Sequence, residues 1–336
     1  MVDLLILFIG ASLLLYVLLG GSDYGAGILE LLPAGKFRKA QTDVINHAMG
    51  PVWEANHMWL ILVVVILFMG FPVIFTTLMV SLHFPMLALL AGIVVRGAVF
   101  AFRHYDAVQS PESQRVYTRL FGLSSLWTAA WLGIIVASLN RGMIDLESRD
   151  FRTAYVAPWW GIYPLSVALF VACIFLFLAC VYLIGETEDD ALRRWFTRHA
   201  AFANGAVFAA GALVFVASLG EHRSLPAEFL HNPWLLAMVG VAALLCVALW
   251  RFINRRQTIL TRGAAAGQVM LILAGWYLLY APNVLIAVTG PLSFYDFAAP
   301  AATLRQLLLA LLIGSVFIFP SLFYLLRVFK VRPAKH

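Results

Sequence analysis

Charge is what this sequence has least of. Asp, Glu, Lys and Arg make up 12% of its 336 residues, against 62% hydrophobic ones, and the mean hydropathy is +0.90. Soluble globular domains carry about 25% charged residues, so a soluble fold is excluded and an integral membrane protein is expected. Cysteine is also sparse. Cys173, Cys180 and Cys246 fall inside apolar runs without the close spacing of a zinc site, and they read as small core or lipid-facing residues. The sequence has no HExxH, CxxC or CxxCH motif and no GxxxxGK[ST] phosphate loop. Nothing pairs a nucleophile with a base, and the basic residues are dispersed rather than gathered in a nucleic-acid-binding stripe.

What is present is a succession of apolar runs long enough to cross a hydrocarbon core about 30 Å thick. Breaks at charged or turn-rich segments place helices near 3–33, 52–74, 78–103, 117–138, 159–184, 200–219, 234–251, 264–288 and 303–328. The expected architecture is therefore an all-α polytopic membrane protein with nine transmembrane helices in a single transmembrane domain over 1–336. The first run begins MVDLL without a basic n-region and exceeds a usual h-region, so it reads as a span and not as a cleaved signal peptide. Alternating the loops between two sides separates the 23 basic residues sharply. Arg141, Arg149, Arg152 and Arg223 fall on one side, Arg96 and Arg305 fall inside spans, and the remaining 17 share the other side. Lys and Arg accumulate on cytoplasmic loops, so the N-terminus is expected outside and the C-terminus in the cytoplasm. Trp159, Trp160 and Tyr163 suit the interface where the fifth helix begins.

Polar groups gather at one depth. The first helix starts near Leu4, and a rise of 1.5 Å per residue carries Asp23 about 28 Å, close to the cytoplasmic edge of the core. The second helix opens on that side with "GPVWEANHMWLI", where Pro51 suits a first turn. Glu54 and His57 then lie within its first two turns, and the third helix brings Arg96 to nearly the same level. In "GGSDYGAGILE", Gly20, Asp23, Gly27 and Glu30 form one stripe, while Gly21 and Gly25 form a small-xxx-small pair that permits close backbone approach. Glu54 is placed to pair with His57, with Arg96 or with neither. Two readings stand: interfacial carboxylates that balance Arg96 and the basic rim, or a proton-uptake path through desolvated carboxylates. Arg96 either neutralises a carboxylate or contacts a head group or quinone oxygen. Of the eight histidines, His57, His104 and His199 can meet near the cytoplasmic face, which leaves haem ligation open, whereas His83 enters the third helix from the other side.

"GSDYGAGILELLP" on the first helix followed by "GPVWEANHMWLI" on the second resembles the N-terminal signature of subunit II of the cytochrome bd family of quinol oxidases, including its cyanide-insensitive branch. That resemblance implies two four-helix bundles, 1–138 and 159–288, plus a peripheral helix at 303–328. It implies a heterodimeric enzyme of the bacterial cytoplasmic (inner) membrane that oxidises quinol and reduces dioxygen to water, electrogenic but not pumping. Haems b and d, or b alone, and the quinol-oxidation site belong to the haem-bearing subunit I, and this chain would bind no haem or metal. In some members a small single-helix subunit joins the complex. Acidic residues on the first two helices are proposed to conduct cytoplasmic protons, and the matching positions are Asp23 and Glu54, with His57 beside them. Glu54 stands where some relatives have Asp. A quinone near the second-helix motif, as in some members, would have Trp53, His57 and Arg96 as neighbours. The partners implied are subunit I, membrane lipids and quinol, with no nucleic acid. The rival class is a secondary transporter with helices broken at the midplane, for which Pro164, Pro282, Asn283 and Pro320 are the candidate breaks.

Overall fold

A computed structural model describes residues 1–50, 53–105, 110–145, 147–221 and 224–331; for Trp53, Glu54, His104 and residues 325–331 it describes the backbone without the side chain. Among the described residues eight helices are long and apolar enough to span a membrane: α1 (Val2–Leu31), α5 (His83–Tyr105), α6 (Pro111–Ser138), α8 (Ile162–Ile184), α9 (Asp190–Ser218), α11 (Pro233–Asn254), α12 (Thr258–Tyr280) and α13 (Ala301–Val331); the short helices α7 (Phe151–Tyr155) and α10 (Leu225–His231) lie between spans. The pair α3 (Trp53–Gly70) and α4 (Pro72–Ser81) makes a ninth if counted together, although it is bent by 117°. The protein is thus an all-α polytopic membrane protein, as its composition requires.

The bend sits at Phe71 and Pro72, inside the run expected as one helix over 52–74. Phe71 leaves the helical region and Pro72, lacking an N–H, starts a new helix. The third span, however, begins at His83 rather than at 78, because residues 72–81 form the separate helix α4 and Leu82 breaks it. A second correction falls at the eighth span. The helix expected to reach 288 ends at Tyr280, since the residue before Pro282 is driven into an extended conformation. The aliphatic run beyond forms β1 (Asn283–Ala287), which pairs antiparallel with β2 (Gly290–Ser293). This hairpin is anchored to the end of α6 by Ile286 N–H donating to the Leu139 carbonyl at 2.8 Å, and Val288 N–H donates to the Ile144 carbonyl at 2.9 Å.

Two spans start earlier than their apolar runs. Ser110 accepts a hydrogen bond from the Ser113 N–H ahead of α6, and Asp189 accepts from the Ala191 N–H ahead of α9, so capped polar turns precede the buried segments. The loop after α1 also holds a helix, α2 (Arg38–Met49), whose buried Gln41, Ile45, Ala48 and Met49 recur at helical spacing. Inside α1, Tyr16–Gly20 forms a π-helical turn that hydropathy does not reveal.

Small residues decide which spans touch. Gly21 and Gly25 lie on Phe175 of α8, and a Cβ on Gly25 would stand 1.8 Å from the Phe175 carbonyl oxygen. Gly133 of α6 approaches the Ala168 backbone of α8 in the same way. The fifth span, α8, is consequently enclosed by α1, α6 and α9, with 72% of its most apolar window buried. One apolar cluster runs from Tyr16 and Ile45 through Ala129 and Phe175 to Leu192, Leu249 and Ala264, so residues before 138 and after 159 share a continuous core.

Candidate functional site

The side of α1 turned toward α5 and α6 carries two carboxylates seven residues apart, Asp23 and Glu30. On α5, Arg96 and Arg103 are also seven apart, and each meets one of them. Arg96 Nη2 lies 2.7 Å from Asp23 Oδ1. Arg103 grips Glu30 with both arms, Nη1 to Oε2 at 2.7 Å and Nη2 to Oε1 at 3.0 Å. The equal spacing means that α1 and α5 run parallel, with the second pair about 10 Å further along the axis. All four side chains are at most 2% exposed. Burying such charges unpaired would cost several kcal/mol each, so the two pairs fix the register of the helices.

Around the upper pair the enclosure is complete. Arg96 Nε donates to Ser125 Oγ at 2.9 Å, and Nη2 also donates to the Asp23 carbonyl at 3.3 Å. The guanidinium lies between the rings of Tyr24 and Phe121, 4.7 and 4.6 Å from their centroids, within cation–π range on both faces. Asp23 Oδ2 is buried without a hydrogen-bond partner among the described residues. Tyr24 stacks on Phe175, its ring centroid is 5.9 Å from that of His57, and its hydroxyl lies 3.1 Å from the hydroxyl of Tyr16. His57 is half-buried, and Asn56 beside it is buried with its amide donating to the Leu19 carbonyl at 3.4 Å.

The lower pair is tied to the surface helix α2. Thr42 Oγ1 donates to Glu30 Oε1 at 3.0 Å, Arg103 Nη2 donates to Asn46 Oδ1 at 2.7 Å, and the Gln41 amide donates to the Leu29 carbonyl at 3.1 Å. Arg38 donates to the Glu30 and Leu32 carbonyls and so closes the end of α1.

Of the residues singled out in the sequence, Asp23, Arg96 and His57 are brought into one neighbourhood. The side chains of Trp53 and Glu54 lie outside the described residues. Glu30 is recognisable in the sequence only as part of the glycine stripe, and Arg103 only as a loop cation. The matching seven-residue steps were the signal that joins them. Arg96 Nε and Nη2 are engaged with Ser125 and Asp23, and two aromatic rings cover the faces of its guanidinium. No group of three or more His, Cys, Asp or Glu side chains is placed to hold a metal among the described residues, and His199 lies against Trp195, the rings tilted by 31°, with its Nδ1 2.9 Å from the Trp195 carbonyl. The proline positions do not break spans at mid-depth: Pro164 lies in the first turn of α8, Pro282 and Asn283 follow α12, and α13 continues through Pro320.

These features define a class, a polytopic helical membrane protein whose buried charge is concentrated between its first and third spans. Within that class the chain belongs to the cytochrome bd terminal oxidase subunit II family, whose family model matches residues 1–329. Over 164 residues it is 27% identical to the cytochrome bd ubiquinol oxidase subunit 2 of Bacillus subtilis (strain 168), a match covering 48% of this chain and 44% of that one. Over 131 residues it is 23% identical to a putative cytochrome bd menaquinol oxidase subunit II of the same organism, covering 39% and 36%. The matched regions therefore span less than half the length of either curated relative. The fold superposes on a chain of the bd oxidase from Geobacillus thermodenitrificans with a TM-score of 0.76 at 19% identity, covering 99% of both chains.

Proposed function

We propose that this chain is the haem-free subunit II of a bd-type quinol:dioxygen oxidoreductase in the bacterial inner membrane, that it docks on a haem-bearing subunit I, and that it conducts protons toward the oxygen-reducing haem. The haems, b with d or b alone, supply the electron transfer and oxygen chemistry and are held by the partner. This chain's residues take up protons and hold the partner-facing helices in register. The N-terminus lies outside and the basic loops in the cytoplasm, as the distribution of Lys and Arg favours. Protons then enter from the cytoplasm at the start of α3, where Glu54 and His57 stand, and reach the level of Asp23. The 1–138 and 159–288 segments form two four-helix bundles with α13 outside them.

The observation that carries this reading is the state of Asp23. Its carboxylate is buried at 1% exposure, one oxygen is held by Arg96, and the other is an open acceptor among the described residues. A carboxylate that serves structure alone is expected to spend both oxygens on partners, as Glu30 does with Arg103 and Thr42. Arg96 keeps Asp23 in place in an apolar surround while leaving one lone-pair site for a proton or a water.

Asp23→Asn and Glu54→Gln in the assembled complex test the reading through quinol-driven oxygen uptake. Turnover is expected to fall at least about tenfold, the loss typical of removing a proton-transfer group, with haem absorption retained. Because Asp23→Asn leaves Arg96 uncompensated, the double variant Asp23→Asn/Arg96→Gln separates lost assembly from lost proton transfer. Full turnover in all three variants removes these residues from the path.

A further inference from the structure

Tyr16 and Tyr24 are buried at 2% and 0% exposure, and their hydroxyls are 3.1 Å apart. Residues eight apart on an ordinary helix diverge by about 80°. The π-helical turn Tyr16–Gly20 acts as a one-residue insertion, so these two stand in phase as if seven apart, within about 20°. The turn therefore places Tyr16 directly above the Asp23 and Tyr24 level, near the middle of the 30-residue span α1. Tyr24 is bordered by Arg96 of α5 on one ring face, by Phe175 of α8 in a stacked contact and by His57 of α3. Asp23 is the carboxylate at this level. Gly20 leaves room for the Tyr16 ring, which lies 3.2 Å from where its Cβ would be.

We propose that the Tyr16 and Tyr24 hydroxyls form the next segment of the proton path, carrying protons from the His57 and Asp23 level past the fixed positive charge of Arg96 to mid-span. This deepens the proton-path reading and rests on it. A free hydronium beside a buried guanidinium is strongly disfavoured, whereas a pair of neutral hydroxyls moves a proton without holding a charge. In the transfer, a protonated Asp23 carboxyl gives its proton through a water to the Tyr24 oxygen as the Tyr24 hydroxyl proton passes to the Tyr16 oxygen, and the Tyr16 proton passes to a water at mid-span that hands it on toward the oxygen-reducing haem. One O–H bond forms and one breaks at each oxygen, both phenols end neutral, and no electron moves.

Tyr16→Phe and Tyr24→Phe keep the rings and remove the relay. In the complete oxidase the rate of proton uptake during a single turnover is expected to fall about tenfold or more in each, with haem content and complex yield unchanged. Site-specific replacement of Tyr16 by a ring-fluorinated tyrosine, which keeps the hydroxyl but makes it more acidic, is expected to move the alkaline limb of the turnover–pH profile downward; this variant decides the matter if the Phe variants fail to assemble. Unchanged proton uptake in the Phe variants, or an unmoved pH profile with the fluorinated residue, overturns the proposal. If Glu54→Gln slows turnover while Tyr16→Phe does not, the proton-path reading stands and the tyrosine segment falls. If Asp23→Asn, Glu54→Gln and Tyr16→Phe all leave turnover unchanged, the reading itself fails.

Discussion

The two halves of this chain are built alike from long apolar helices, yet they bury different things. Asp23, Glu30, Arg96, Arg103 and Arg141 are the buried charged residues among those described, and all precede α8. Beyond α8 the ion pairs move outward: Arg262 and Glu186 are 30% and 18% exposed, Arg256 and Asp190 64% and 54%. Packing varies most within the second half itself. The fifth span is the most hydrophobic of all and 72% buried, while the seventh span, α11, is only 11% buried and presents Leu236, Val239, Leu244 and Val247 outward. Hydropathy thus marks which segments enter a membrane, and small residues and buried charge mark which of them form its protein-lined centre. The bare face of α11 is left for lipid or another subunit.

That contrast can be broken in graded steps. Arg96→Leu leaves the Asp23 carboxylate buried without its cation and is expected to cost about 3–5 kcal/mol, enough to lower the yield of intact complex; restoring it with the charge-free double variant Asp23→Asn/Arg96→Leu is the companion measurement. Gly25→Ala drives a methyl against the Phe175 carbonyl and is expected to cost about 1–3 kcal/mol as α1 and α8 separate, read as a lower midpoint of thermal haem loss. Arg262→Gln removes a half-exposed pair that also touches the Tyr182 carbonyl at 2.9 Å, and about 1 kcal/mol or less is expected in the same measurement. Arg256→Ala, at the solvent-exposed rim, should leave the midpoint where it was. Equal effects of Arg96→Leu and Arg256→Ala would show that burial does not separate the two halves.

Much of the fold was legible because it depends on composition over long windows. The nine apolar segments and the gathering of Asp23 and Arg96 at one depth follow from run length and helical rise. The segments that were not legible depend on what lies next to them. Residues 281–288 are as apolar as the helix before them, and only the extended backbone ahead of Pro282 and a hydrogen-bond partner on α6 make them a strand. Helix α4 reads as part of a continuous run until the bend at Phe71 and the break at Leu82 isolate it. Within the site, the pairing of Asp23 with Arg96 requires knowing that α1 and α5 are neighbours, a fact no single helix carries. Tyr16 remained invisible because its phase is set by a π-helical turn that an ideal 3.6-residue period misplaces by about one residue.

The far end of the second span is held by the linker ahead of α13. The Gly70 carbonyl accepts from the Ala299 N–H at 2.8 Å, Phe71 meets Phe294 edge-on at 4.7 Å, and Tyr295 donates to Asp3 at 2.7 Å, so the linker ahead of α13 straps down both the start of the chain and its sharpest corner. A cut made in that linker would free two distant parts of the polypeptide at once, and a chain split there and co-expressed as two pieces would have to rebuild the strap before its last span could seat.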